Sequence, residues 1–209
     1  MRNQLKESIL DIFFPKRCVN CGKEGTYICE DCTLFFSETP VLKLTGETEE
    51  LMSVWEYEGV LKKILNKIKS EGIHGAVQDL IKIAFKMWEI EIPEDTCITF
   101  VPLWKNKEKE RGFNQARIIA EVLAKKTNIK VVNLLKKNKN TPYQDNLDME
   151  QRLKNVKSSF SAKKLDHFPE KIILVDDFSI SGATIEECSR ELKRAGAKKV
   201  WGFVLARSS

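Results

Sequence analysis

The stretch Lys171-Ile-Ile-Leu-Val-Asp-Asp-Phe-Ser-Ile-Ser-Gly-Ala-Thr-Ile-Glu-Glu187 decides the fold. Four apolar residues, Ile172 to Val175, three of them β-branched, read as a strand buried in a parallel sheet. Two carboxylates follow, Asp176 and Asp177, and then Ser181-Gly182-Ala183-Thr184. From there the apolar period turns helical, with Ala183, Cys188, Leu192 and Ala195 on or near one face, and Gly196 ends the run.

A strand, a turn and a helix start make a ligand site in an open α/β sheet, because ligands sit beyond the carboxyl ends of the strands. A helix N-terminus presents unpaired N–H groups and partial positive charge, which suits a phosphate. Gly182 permits close backbone approach, and the Ser181 and Thr184 hydroxyls add donors. Two adjacent carboxylates repel a phosphate but suit sugar hydroxyls or a hydrated metal ion. The pattern therefore asks for a phosphate with a diol beside it, a ribose 5-phosphate. The plainer alternative is a strand, a turn and a capped helix, with Thr184 and Glu187 as a capping box.

The run Ile-Leu-Val-Asp-Asp-Phe-Ser-Ile-Ser-Gly-Ala-Thr resembles the phosphoribosyl pyrophosphate (PRPP) signature of type I phosphoribosyltransferases. The resemblance implies that Asp176 and Asp177 face the ribose hydroxyls. It implies that Ser181, Gly182, Ala183 and Thr184 hold the 5-phosphate. The family usually has Thr where this chain has Ser181, which keeps the hydroxyl.

With 209 residues the chain has room for one sizeable domain and a small extra module. Its 42% apolar and 31% charged content suits a soluble globular protein. No apolar run approaches a membrane span, and the first residues lack the apolar core of a signal peptide, so a cytoplasmic protein without membrane insertion is expected. The net charge of +5 is unevenly spread: residues 101–160 hold 14 Lys/Arg against 6 Asp/Glu, a local +8 that leaves the rest at −3. Such a concentrated positive field favours polyanionic ligands.

Residues 18–32 place Cys18 and Cys21, then Cys29 and Cys32, as two C-x2-C pairs. Four thiolates at that spacing close a tetrahedral structural zinc site, and Gly22 lets the backbone turn over the sulfurs. Two disulfides are the other reading, which a reducing cytosol disfavours, and a redox C-x2-C would need a thioredoxin-like setting. Phe13, Phe14, Leu34, Phe35 and Phe36 are expected to pack the module, which is too small to build its own core. Cys97 and Cys188, in apolar surroundings, read as core residues. A polar stretch over residues 37–50 marks a boundary, dividing the chain into a module of residues 1–45 and a domain of residues 46–209.

Leu51 to Tyr57 reads as a strand, Gly59 onward as a helix with Val60, Leu61, Ile64, Leu65 and Ile68 on one stripe, and Ile73 to Met87 as a second helix. His74 reads as a solvated or capping residue. Cys97 to Val101 is a short strand, followed by a basic loop over residues 103–111 with Trp104, Lys105, Lys107 and Arg111. Helix 115–127 follows with Asn114 as its N-cap, and Val131-Val132 begin a further strand. Residues 141–160 are polar and aperiodic, as a functional lid or a disordered segment would be.

Arg111-Gly112-Phe113-Asn114-Gln115, then Gln144, Leu147, Arg152, Asn155 and Phe160, then the Asp-Asp run and the four-Cys module together resemble the ComF family of competence proteins, ComFC type. The resemblance implies an α/β fold of type I phosphoribosyltransferase class, an open, mainly parallel sheet flanked by helices, with a small zinc module at the N-terminus. It implies Mg²⁺ with PRPP at residues 176–184, and a part in DNA uptake beside a helicase-like partner. In the enzymatic reading Asp176 and Asp177 stabilise a cationic sugar while Trp104, Lys105, Arg111, Gln144 and Arg152 close on pyrophosphate; the accepting base has no marker in the sequence. In the binding reading the same basic residues, interleaved with Trp104, Phe113, Tyr143 and Phe160, hold single-stranded DNA. A solvated basic face with core aromatics is the third possibility.

Overall fold

The computed structural model describes residues 15–39, 42–43, 46–87, 92–140 and 154–208. Its strands are β1 (Leu42–Lys43), β2 (Glu50–Glu56), β3 (Thr96–Phe100), β4 (Leu135–Lys137), β5 (Phe160–Ala162), β6 (Lys171–Ser179) and β7 (Lys199–Arg207). Its helices are α1 (Glu30–Thr33), α2 (Gly59–Glu71), α3 (His74–Met87), α4 (Lys105–Arg111), α5 (Gln115–Thr127) and α6 (Ala183–Arg194). The main sheet runs β1-β2-β7-β6-β3, and β4 pairs with β5 separately. β2, β7, β6 and β3 are mutually parallel; only the edge strand β1 is antiparallel. This is the mixed α/β architecture expected, with helices on both faces of a mainly parallel sheet.

β6 explains why. Ile172 and Leu174 point to one face, among Leu135, Phe160, Cys188 and Leu192. Ile173 and Val175 point to the other, among Leu61, Ile64, Leu80 and Ile119. A strand covered on both faces needs apolar residues at every position rather than at alternate ones. Burying each such side chain contributes about 1.5–3 kcal/mol. α2, α3 and α5 cover one face, and α6 with the β4–β5 pair covers the other. On α2, Leu61, Ile64, Leu65 and Ile68 form the buried stripe, and Gly72 closes the helix at φ 68. Asn114 caps α5 as expected, its Oδ1 accepting from Arg117 N at 3.3 Å. His74, exposed at the start of α3, meets Phe113 edge-on.

Four expectations need correction. The basic segment read as a loop is helical over α4, because Lys and Glu are good helix formers and Gly112 at φ 81 supplies the left-handed stop. Val131-Val132 do not begin a strand; Val131 forms one parallel bridge to Ile98. The ladder stops there because Leu134 N donates to the Thr99 hydroxyl instead of to backbone. The strand does not end before the acids: β6 runs through Asp176 and Asp177 to Ser179, because β7 accompanies it to Arg207. Leu34 and Phe35 do not pack the module. They are 84% and 70% exposed, whereas Phe36 packs edge-on against Trp55 at 5.2 Å. Phe13, Phe14, Gln144 and Arg152 lie outside the described residues, as does most of the lid segment.

The four-Cys segment sits on α2 and α3. Val19 and Ile28 belong to the same buried cluster as Leu80 and Ile64. The Asp79 carboxylate accepts from Tyr27 N and from the Thr26 hydroxyl, each at 3.3 Å, and Lys67 Nζ donates to Val19 O at 3.2 Å. The Tyr27 ring lies so near Gly75 that a Cβ there would stand 2.3 Å from it. No helix among the described residues is long and apolar enough to cross a membrane.

Candidate functional site

The chain leaves β3 toward the bridge at Val131, on the outer side, but leaves β6 toward β7, on the inner side. The connections after β3 and β6 therefore diverge, and a crevice opens between them at the carboxyl ends of the strands. A cleft of about 150 Å³ occupies this place. β3 pairs with β6 only as far as Phe100 and Val175, whereas β6 pairs with β7 as far as Ser179 and Arg207. Asp176 to Ser179 thus form a ledge that overhangs the cleft.

The ledge holds its shape through its own side chains. Asp176 Oδ1 accepts from Asp177 N, and Asp177 Oδ1 from Phe178 N, both at 2.9 Å. The buried Ser179 hydroxyl accepts from Gly182 N at 3.0 Å, closing the turn into α6. Gly182 is the N-cap of α6 in the left-handed region, φ 73 and ψ −11, with open space where a Cβ would be. No capping box forms. Glu187 is buried, and its carboxylate instead accepts from Ser158 N at 2.6 Å and pairs with Arg190. Gly182, as the N-cap residue, supplies no side-chain cap of its own, and Ser181, Gly182, Ala183 and Thr184 at the start of α6 line the cleft.

Four cationic side chains from three elements line the same cleft: Lys69 of α2, Lys107 and Arg111 of α4, and Lys137 of β4. Lys69 Nζ lies 3.1 Å from Asp177 Oδ2. Arg111 Nη1 donates to Gln115 Oε1 at 2.9 Å. Asn114 ties α5 to the end of β3, its Nδ2 donating to Val101 O at 3.0 Å, and so fixes the connection that carries α4. Burial, and then the neighbouring Asp177, push the Asp176 carboxyl well above its ordinary range. Burial, and then the nearby Lys107, lower the Lys137 ammonium. Each shift marks a charge confined in a poorly solvated crevice, a common feature of ligand sites.

Of the residues singled out in the sequence, Asp176, Asp177, Ser181, Gly182, Ala183, Thr184 and Arg111 meet in this cleft. Trp104 and Lys105 do not line it: Trp104 is the N-cap residue of α4 and Lys105 faces solvent. The sequence reading missed Lys69 and Lys137. A signal existed for Lys137, because it shares a strand face with the buried Leu135 two residues earlier. Lys69 carried no signal; it sits among the lysines of a helix whose polar face is mostly solvated.

The second site is the four-Cys group. Cys18, Cys21, Cys29 and Cys32 bring all four sulfurs within 4.8 Å of one another, in position to hold a metal ion. The Cys18–Cys32 and Cys21–Cys29 separations are 3.8 and 3.5 Å, close to the sulfur spacing of about 3.8 Å that a tetrahedron with 2.3 Å zinc–sulfur bonds demands. All six cysteines are free thiols. Asn20 Nδ2 donates to Cys32 Sγ at 3.3 Å, and Gly22 N to Cys18 O at 2.8 Å, which orients the first pair. Burial pushes Cys32 up to about 12. Burial also acts to raise Cys18, but the backbone N–H groups of Cys21, Cys29 and Asn20 outweigh it and bring Cys18 to about 6.

No family model matches the chain. Over most of its length, however, it is similar to proteins of natural competence. It is 25% identical to competence protein F of Haemophilus influenzae, covering 91% of this chain and 84% of that protein. It is 29% identical to competence protein ComFC of Bacillus subtilis, covering 91% and 78%. It is 24% identical to DNA utilization protein YhgH of Escherichia coli, covering 91% and 84%. Each likeness covers about nine-tenths of the chain, and the similarity is to proteins named for competence or DNA utilization.

Proposed function

We propose that this protein serves the uptake of transforming DNA, and that its cleft binds PRPP with Mg²⁺ while the four-Cys group holds a structural zinc ion. The observation that carries the reading is a meeting in one crevice: two adjacent carboxylates, a helix start behind a left-handed glycine, and cations from three elements. The helix start suits the 5-phosphate, the carboxylates suit the ribose diol, and Lys107, Arg111 and Lys137 suit pyrophosphate. Mg²⁺, when bound, would be held by Asp176 and Asp177 and would offset pyrophosphate charge. Names of relatives that speak of competence and DNA utilization support a DNA-handling role.

Single-stranded DNA is the polymer partner in this reading, with a helicase-like protein of the uptake system beside it. α4 supports it, since Lys105 and Lys109 face solvent just outside the cleft, next to the half-buried Trp104. A second reading, transfer of ribose 5-phosphate from PRPP to a base, is favoured by the placement of Asp176 in the lining of the cleft, where a carboxylate stabilises a cationic sugar in the absence of water.

Calorimetry with PRPP and MgCl₂ tests the site. D176A/D177A should lose about a hundredfold or more in affinity, since each charge-assisted hydrogen bond contributes about 1.5–3 kcal/mol. Equal affinity in the double variant refutes the assignment. An oligonucleotide titrated over a range of salt should show a logarithmic slope of about −0.7 per phosphate contacted. Salt-insensitive binding leaves the basic region a solvated face, and displacement by PRPP shows that the two share the cleft. Pyrophosphate release with a panel of bases decides for transfer.

A further inference from the structure

The last turn of α2 puts one lysine where a ligand's cation would go. Lys69 Nζ lies 3.1 Å from Asp177 Oδ2 and 3.3 Å from the centre of the Phe178 ring. Both charged side chains are withdrawn from water, at 16% and 13% exposure, so the attraction between them is weakly screened. Tyr57 stacks on the same ring at 4.3 Å with the planes within 7°, and its hydroxyl donates to Asn66 Oδ1 of α2 at 2.8 Å. Ring, phenol and ammonium are thus held by the one helix, and the ammonium has an aromatic face as well as a carboxylate.

We propose that Lys69 is the resident counter-ion of Asp177, and that a divalent cation must displace it to reach the acid pair. The inference rests on the reading of Asp176 and Asp177 as a ligand site. A divalent cation on Asp177 Oδ2 would stand beside the Lys69 ammonium, and like charges at that range repel strongly where screening is weak. The displaced side chain has somewhere to go. Lys69 also borders an adjoining cleft of about 430 Å³, lined by Glu71 and Glu110 as well as by Lys107 and Arg111. The acid pair therefore has two occupancies, lysine in or metal in, and the lysine sets how readily metal enters before any phosphorylated ligand arrives. Lys69 is on this account a positioning and selectivity residue.

Mn²⁺ alone, followed by water-proton relaxation on the full zinc-loaded chain, is the probe. K69M should bind Mn²⁺ about tenfold more tightly than the wild type, a shift typical of coupling between competing states. K69R should stay near the wild type because it keeps the charge. Adding D177N to K69M should remove the gain. Mn²⁺ affinity unchanged or weaker in K69M, no saturable binding in K69M at millimolar Mn²⁺, or a gain that survives D177N, each overturns the inference. Met keeps the apolar stem of Lys69 against Phe178, so K69M should melt near the wild type. PRPP with MgCl₂ separates the two readings. If it binds neither protein while the Mn²⁺ gain appears, the PRPP assignment falls and the role of Lys69 stands. If it binds both while Mn²⁺ affinity does not move, the reverse holds.

Discussion

The four-Cys knuckle and the acid-ledge cleft solve opposite problems. The knuckle takes all its ligand atoms from one short stretch, Cys18 to Cys32, and turns them on one another until the sulfurs stand within 4.8 Å. Nothing is left over for a substrate. The cleft gathers its cations from α2, α4 and β4 and its acids from the end of β6. Its groups point across open space, and burial raises the Asp176 carboxyl and lowers the Lys137 ammonium. A constellation local in sequence closes and stabilises, whereas one assembled by the fold stays open to a ligand.

Removing one sulfur should break the comparison most sharply. C29S should take the zinc content from one ion per chain to near zero, since a structural zinc site contributes about 10–16 kcal/mol of binding free energy to its module. Hydrogen exchange should then rise across residues 15–39 while β6 and β7 stay protected, because those strands have their own core. Elemental analysis that still finds one zinc refutes the assignment.

A gentler change tests how the knuckle is seated without touching a ligand. G75A would place a Cβ 2.3 Å from the Tyr27 ring, so the knuckle must lift. Overpacking of this kind costs about 1–3 kcal/mol, only partly offset by the better helix propensity of Ala. The melting temperature should fall by about 3–6 °C with zinc content unchanged. An unchanged melting temperature would show the contact to be soft.

The smallest effect belongs to the cleft and depends on pH. The Asp176 carboxyl is raised by burial and by Asp177, so the folded chain holds that proton more tightly than the unfolded chain does. Its contribution to stability is full below the ordinary carboxylate value near 4 and is lost as pH rises through the folded value. D176N should therefore gain in melting temperature over the wild type as pH rises, by about 3 °C for each kcal/mol of stability, while PRPP binding falls. A difference that stays flat with pH would show that the acid titrates normally.

Much of this was legible in the chain itself, for identifiable reasons. β6 announces itself because burial on both faces leaves no polar position between Ile172 and Val175. The knuckle is legible because metal ligation depends on local spacing, and Asn114 because a cap is a local hydrogen bond. What escaped was decided over distance. α4 looked like a loop because its charges obscure a good helix former with no buried residue. Val131-Val132 looked like a strand, but one hydroxyl, that of Thr99, ends the pairing. Lys69 comes to Asp177 only because α2 packs beside β6, a contact that no periodicity encodes.

The overhanging ledge also changes what kind of host the acid pair is. Where β3 has ended, Asp177 N has a carboxylate, Asp176 Oδ1, in place of a neighbouring strand. A ligand that draws that oxygen toward itself releases the amide at the same moment. The ledge then offers a donor beside the acceptor it has just given up, so the two acids can meet a hydroxyl, which needs both. Lone carboxylates on a helix surface would offer acceptors only. By stopping one strand short of its neighbour, the fold makes the acid pair amphoteric in hydrogen bonding.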